Sequence, residues 1–219
     1  MIKYPPIEFW ELFKETKGAM STVEAIFMYS ACLQVGDEGV CVEMGTAHGK
    51  SALVTLMAWK HKGQKTLYLL DPEFEKVEFL KDTHKNINKF QNRHCDNTTC
   101  VFLKNTSTEF LPQHDRYAYI MWDTGSHGHE LVSLEKPLLE DKIIQGGILV
   151  MHDINSQFTA CTEAYQQLIA SGKYEPIEYN WQEIFDYVAE HNLEDGNNSW
   201  HQYPELSHPP NFIGALRRK

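Results

Sequence analysis

Apolar residues recur along this chain in two rhythms, and the change between them gives the first sign of its architecture. Up to residue 36 they return every three or four positions, which predicts helices over 7–16 and 21–33. Ser21 stands at the second helix start with Glu24 three residues on, a pairing that satisfies free N–H groups at a helix N-terminus from both sides. From Gly39 short apolar runs take over, at 39–44, 65–70, 99–103, 117–122 and 148–151. Such runs, bounded by turn residues, read as strands buried on both faces. Helical spacing fills the intervals 51–61, 74–90 and 130–144, and returns over 156–170 before Gly172. In the second of these Val77, Leu80, His84, Ile87 and Phe90 share roughly one face. Strands alternating with helices predict an α/β fold around a mainly parallel sheet.

Beyond 172 the pattern weakens. The segments 174–180 and 211–216 are expected as late strands, and 191–210, rich in Asn, Gly, His and Pro, as a loop. The expected organisation is an N-terminal helical cap or oligomer contact over 1–36, then one α/β domain over 37–219. That domain carries a lid-like insertion near 190–210, because loops of this length are usually functional or disordered.

Composition narrows the class. The chain has 219 residues, including 5 Trp, 10 Tyr and 11 Phe, which need a core to bury them. Lys and Arg number 20 against 30 Asp and Glu, a net charge of −10 that disfavours binding to nucleic acid phosphates. No apolar stretch approaches the ~18 residues of a membrane span. Pro5, Pro6, Glu8 and Glu11 interrupt the region where a signal peptide needs an apolar run. Cys32, Cys41, Cys95, Cys100 and Cys161 form no CxxC pair and read as reduced thiols. The expectation is a cytoplasmic protein acting on a small molecule, with neither nucleic acid nor membrane as partner.

Candidate chemistry concentrates in Val40-Cys41-Val42-Glu43-Met44-Gly45-Thr46-Ala47-His48-Gly49-Lys50-Ser51. A buried strand runs into a turn with glycines four apart and then into a helix. Backbone can approach a ligand closely there, and the helix start aims its free N–H groups at it. Asp71 ends the next strand, where nucleotide-binding α/β sheets place a carboxylate on ribose hydroxyls. Three readings compete. The dinucleotide fingerprint G-x-G-x-x-G has Ala47 at its middle glycine. A P-loop has four residues between its glycines where this chain has Thr46, Ala47 and His48, so a Gly-Lys-Ser nucleotide hydrolase would have a misshapen phosphate nest.

The third reading is a resemblance. Glu43-x-Gly45-x-x-x-Gly49 followed by Asp71 resembles the first two motifs of class I S-adenosylmethionine-dependent methyltransferases. Ser107 in Asn105-Thr106-Ser107-Thr108-Glu109 stands where that family's adenine-contacting loop follows the third strand. Asp123 stands at the fourth strand's tip, and Gly146-Gly147-Ile148-Leu149-Val150-Met151-His152-Asp153 is similar to the family's glycine turn and fifth strand. With Ser126-His127-Gly128-His129-Glu130 the likeness is greatest to the small-molecule O-methyltransferase branch that includes macrolide-sugar enzymes and cephalosporin-hydroxylase-like proteins, and it covers 39–158. That branch usually has Asp-Gly-Asp-His; here Asp123 to His127 is one residue longer and Ser126 replaces the second acid.

The resemblance implies a Rossmann-like doubly wound fold and methyl transfer from S-adenosylmethionine to a hydroxyl of a small metabolite. Cofactor contacts are expected at Glu43, Gly45, Thr46, Ala47, Gly49, Ser51, Asp71, Ser107 and Asp123. Two carboxylates at neighbouring strand tips, Asp123 and Asp153, are expected to hold Mg²⁺ or another divalent cation, and His127, ahead of His129 and His152, to take the hydroxyl proton. Plainer roles stand beside these: Asp71, Asp123 and Asp153 as turn or helix-cap residues, and Trp181, Phe185, Tyr187, Trp200 and Tyr203 as core cover or an acceptor pocket. A non-catalytic cofactor-binding protein is the remaining alternative, motivated by Ser126.

Overall fold

The computed structural model describes residues 1–60, 62, 65–94, 98–125, 128–154, 159–193 and 213–219. Seven strands form one sheet in the order β3-β2-β1-β4-β5-β7-β6. They are β1 (Val40–Met44), β2 (Thr66–Leu70), β3 (Thr99–Leu103), β4 (Tyr117–Trp122), β5 (Ile143–His152), β6 (Tyr174–Pro176) and β7 (Ile213–Arg218). The first five run parallel, and β7 enters antiparallel between β5 and β6. This is the mainly parallel sheet the pattern predicts, wound as the resemblance implies. The helices are α1 (Phe9–Glu15), α2 (Thr22–Cys32), α3 (Lys50–Trp59), α4 (Val77–His94), the short α5 (Ser107–Phe110), α6 (His129–Glu140), α7 (Thr159–Ala170) and α8 (Trp181–Glu190).

Alternation along each strand splits the core into two layers. Cys41, Leu67, Leu69, Tyr119, Met121, Ile148 and Val150 face α1 to α4 and α8. Val42, Met44, Ile120, Trp122, Leu149 and Met151 face α5, α6 and α7. The N-terminal helices belong to the first layer: Phe9, Trp10, Leu12 and Phe13 of α1 and ten of the eleven residues of α2 are buried. Ser21 and Glu24 form the reciprocal cap that the sequence suggests.

Several boundaries differ. The helix expected over 130–144 stops at Glu140, and Ile143 and Ile144 open β5, which is ten residues long. Their apolar spacing continues that of α6, but pairing of Ile143 with Tyr117 draws them into the sheet. Segment 74–90 divides into a 3₁₀ turn at Pro72–Glu75 and α4, whose buried side is Thr83, Ile87, Phe90 and His94, while Val77 is exposed. The late strand expected from 174 ends at Pro176, and α8 follows, a helix absent from the expected elements although Trp181, Ile184, Phe185 and Val188 stand at helical spacing on one face. The expected lid near 190–210 lies, beyond Leu193, outside the described residues. Among the described residues no helix is long and apolar enough to cross a membrane.

Strand order reverses between β1 and β4: the chain winds through β2 and β3 on one side and into β5 on the other. Such a switch point opens a crevice at the carboxyl ends of the strands. Glu43, Gly45, Asp71, Asp123 and Asp153 all stand along that edge.

Candidate functional site

The turn after β1 is held from beneath and from the side. Gly45 N–H donates to the Leu70 carbonyl at 2.9 Å, and Asp123 N–H donates to the Met44 carbonyl at 3.1 Å. Gly45 has φ +83°, and a Cβ there would fall 1.7 Å from the Asp123 carbonyl oxygen, so only glycine lets the two strand tips meet. Gly49, at φ +81°, turns the chain into α3. Between them Ala47 takes φ +46°, a left-handed conformation rare outside glycine. On the α4 side Thr83 Oγ1 donates to the Ala47 carbonyl at 2.6 Å and Asn86 Nδ2 to the His48 carbonyl at 3.0 Å.

Asp71 holds the same turn. One carboxylate oxygen accepts the Ala47 N–H at 2.7 Å, and the other accepts the Glu73 N–H at 2.8 Å, capping the 3₁₀ turn. Each oxygen keeps a further lone pair beyond these two hydrogen bonds. Glu43 is fully buried and accepts from Ser51 Oγ at 2.9 Å. Burial pushes its carboxyl up to about 8, against the Ser51 hydrogen bond and with the negative charge of Asp123 adding to it. Glu43 Oε2 and Thr46 Oγ1 are both buried, and the Thr46 hydroxyl joins Ser51 in opposing the upward push of burial on the Glu43 carboxyl.

Lys50 does not serve this turn. It is buried at the start of α3 with its ammonium 4.4 Å from the centre of the Phe13 ring. The nucleotide-hydrolase alternative needs that lysine on a phosphate, and nothing in the geometry favours it.

The tip of β4 is braced by a residue the sequence did not single out. Glu135 of α6 is fully buried and accepts from Trp122 Nε1 at 2.6 Å, from Thr124 Oγ1 at 2.9 Å, and from Ser107 Oγ. It therefore grips both neighbours of Asp123 together with Ser107, whose hydroxyl faces α6. Thr106 and Glu109 cap α5 reciprocally and fix the loop that carries Ser107.

At the tip of β5, His152 is enclosed by acids. Its Nε2 lies 3.3 Å from Glu24 Oε1, and its Nδ1 lies 3.2 Å from Asp153 Oδ2 and 3.8 Å from Asp123 Oδ1. These are ion-pair contacts off the line of a good hydrogen bond. Burial alone would push the imidazole down; the charges of Asp123 and Glu24 and the contact to Asp153 outweigh it and hold His152 well above its usual value. Burial pushes Glu24 up, but His152 and the Ser21 cap outweigh that and hold it low. Asp153 adopts φ +58°, a left-handed conformation uncommon outside glycine.

The structure thus brings together Glu43, Gly45, Thr46, Ala47, Gly49, Ser51 and Asp71 in one turn, and Asp123, His152 and Asp153 in one cluster whose ligand atoms lie within 4.8 Å of one another. His129 stands apart, near Thr159 and Glu163 on the surface. His127 and Ser126 lie outside the described residues. Two acids were missed as site residues, Glu24 and Glu135. The Ser21-x-x-Glu24 spacing was legible as a helix cap, but only tertiary packing shows that its second oxygen reaches His152.

The sequence profile of a family described as methyltransferase domain matches residues 42–154, about half of the chain, from β1 to the residue after Asp153. No curated protein matches the chain in sequence. Solved structures share its fold. CalS11, a TDP-rhamnose 3'-O-methyltransferase of calicheamicin biosynthesis, is 11% identical, with 89% of this chain and 78% of that chain aligned at a TM-score of 0.55. The O-methyltransferase NovP is 14% identical over 90% of this chain and 80% of its own, with a TM-score of 0.53. The Podospora anserina methyltransferase PaMTH1, solved with S-adenosylhomocysteine bound, is 11% identical over 97% and 87%, with a TM-score of 0.52. At these identities the structures testify to the fold, and the profile to the family. A doubly wound sheet, a glycine turn at its switch point and a matched segment spanning both clusters agree: this chain belongs to the methyltransferase-domain family.

Proposed function

We propose that this protein transfers the methyl group of S-adenosylmethionine to a hydroxyl of a small molecule. The observation that carries the reading is the turn over β1, where a glycine without room for a Cβ leads through the left-handed Ala47 into α3, beside the buried Glu43 and the Asp71 carboxylate. When bound, S-adenosylmethionine supplies a sulfonium methyl, which an oxygen can attack once it is in line and relieved of its proton.

The chain's residues divide that work. Gly45, Thr46, Ala47 and Gly49 offer backbone at close range, and Ser51 holds the buried Glu43 carboxyl beside the turn. Asp71 has lone pairs left for ribose hydroxyls, and Ser107 and Asp123 border the same crevice. Asp123 and Asp153 offer hard oxygens suited to Mg²⁺ or another divalent cation, which when bound lowers the pKa of a hydroxyl. His152 offers a ring nitrogen to the same cluster, within 4.8 Å of the two carboxylate oxygens. His127 remains the proposed proton acceptor, on its sequence spacing from Asp123. The proposed setting is the cytoplasm, in keeping with the thiols of Cys32 and Cys41.

A thermal-shift comparison of S-adenosylhomocysteine, ATP and NAD on one sample tests the cofactor. S-adenosylhomocysteine alone should stabilise, by about 3 kcal/mol at a hundred times its dissociation constant. Stabilisation by ATP alone would reject the reading. Methyl transfer to hydroxylated small molecules, with and without Mg²⁺, then tests the reaction; His127→Ala should lower kcat about 100-fold.

A further inference from the structure

Next to the His152 cluster the sheet edge opens into a cavity of about 420 Å³. It forms where β6 leaves β7: their contact ends with Ile177 N–H donating to the Ala215 carbonyl at 2.8 Å, and Ile213 and Gly214 border the space beyond. One wall is aromatic. Phe27 of α2 stacks on Trp181 with ring centres 4.9 Å apart and planes 3° from parallel, and meets Tyr179 edge-on at 5.4 Å. The opposite wall carries Tyr165 of α7 and Ile154. Packing between the walls is tight at Gly214, where a Cβ would lie 2.3 Å from Ile154 Cδ1 and 2.9 Å from the Tyr165 ring.

Neighbours of the candidate site line the cavity. Ile154 follows Asp153 in the chain, Ile213 pairs with His152 across β5 and β7, and Phe27 stands one helical turn from Glu24 on α2. Its volume is that of a small-molecule pocket. Its chemistry is selective: among the described lining residues Glu178 is the one charged group, and none is Lys, Arg or His. A phosphate would meet a negative charge and no counter-charge, in a protein of net charge −10. A flat neutral ring would meet aromatic faces and aliphatic side chains.

We propose that this cavity receives a planar, uncharged aromatic portion of the methyl acceptor, whose hydroxyl extends toward Asp123 and Asp153. The role as acceptor rests on the methyl-transfer reading; the preference for a neutral ring rests on the cavity. In the transfer the hydroxyl oxygen bonds the methyl carbon, the carbon–sulfur bond breaks with its electron pair left on sulfur, and the hydroxyl proton passes to the proton acceptor.

The test uses the full chain with its isoleucine δ1 methyls carbon-13 labelled, titrated with 2-naphthol and, separately, with 2-naphthyl phosphate. S-adenosylhomocysteine binding is measured by calorimetry on the same samples. 2-Naphthol should shift the methyl signals of Ile154, Ile169, Ile177 and Ile213, which line the cavity, and leave those of the distant core residues Ile87 and Ile120 in place. Tyr165→Ala and Trp181→Ala should each weaken 2-naphthol roughly tenfold with S-adenosylhomocysteine affinity unchanged, and 2-naphthyl phosphate should bind at least about tenfold more weakly. Unmoved cavity methyls, equal affinity of both variants, or equal affinity for the phosphate would overturn the proposal. A sample that binds 2-naphthol in the cavity but not S-adenosylhomocysteine would uphold the aromatic site and reject the methyl-transfer reading; the reverse result would reject the aromatic site alone.

Discussion

At Gly45 the space a side chain would occupy is already filled by the Asp123 carbonyl, and the backbone is in the left-handed region. Gly45→Ala must therefore push β1 and β4 apart at their tips. It should cost about 2 to 4 kcal/mol in thermal or urea unfolding and abolish the stabilisation by S-adenosylhomocysteine. Glu43 makes a second, pH-dependent prediction. Its folded pKa, about 8, lies above the ordinary 4.5, so between those values the folded protein holds a proton that the unfolded chain has released. Stability should fall as pH rises through that window, and the raised pKa of His152 acts in the same direction above 6.5. Glu43→Gln removes one of these two groups. It should be more stable than the parent above pH 8, by at least about 1 kcal/mol, and lose that advantage near pH 4.5. Thermal unfolding of both proteins across that range checks it. Glu43, Gly45 and Asp71 were legible because a strand end, a glycine turn and the next strand end lie at fixed distances along the chain. Glu24 and Glu135 were not, because nothing local distinguishes an acid facing solvent from one that a second helix carries into the interior.

Among the elements, α6 shows how a helix can serve a site it does not line. Through Glu135 it receives hydrogen bonds from three other segments, β4, the residue after Asp123, and the start of α5. Glu135→Ala should leave these donors buried and unpaired, at about 3 kcal/mol or more in total. It should also loosen S-adenosylhomocysteine binding although residue 135 lies one shell away; unchanged unfolding and affinity would disprove the bracing role. The strands themselves were readable, since a parallel sheet covered on both faces demands continuous apolar runs, and β1 to β4 lie within a residue of the predicted ranges. The first half of β5 was hidden because Ile143 and Ile144 fit the spacing of α6 equally well, and only pairing with β4 decides between the two. For α8 the signal was present: Trp181, Ile184, Phe185 and Val188 recur at helical spacing and pack on one core cluster, and reading the aromatics as cover or pocket lining passed over that period.

The whole molecule is tied together by the layer that α1 and α2 share with the sheet. Phe9 and Phe13 belong to the same buried cluster as Leu67 and Val150, and Glu11 and Glu15 of α1 reach Arg93 and Lys89 of α4. The N-terminal helices should therefore melt with the sheet. Calorimetry should show one transition whose van't Hoff and calorimetric enthalpies agree, and an earlier separate transition of residues 1–36 would contradict this. The placement of β7 bears on how the chain reaches this state. It is the last described strand in sequence yet lies inside the sheet, and β6 pairs with it alone. On a ribosome, β5 must wait with its outer backbone edge bare while some sixty further residues are made. During that interval the nascent chain exposes an apolar ribbon open to pairing with other polypeptides, and closure of the sheet is the step that removes the hazard.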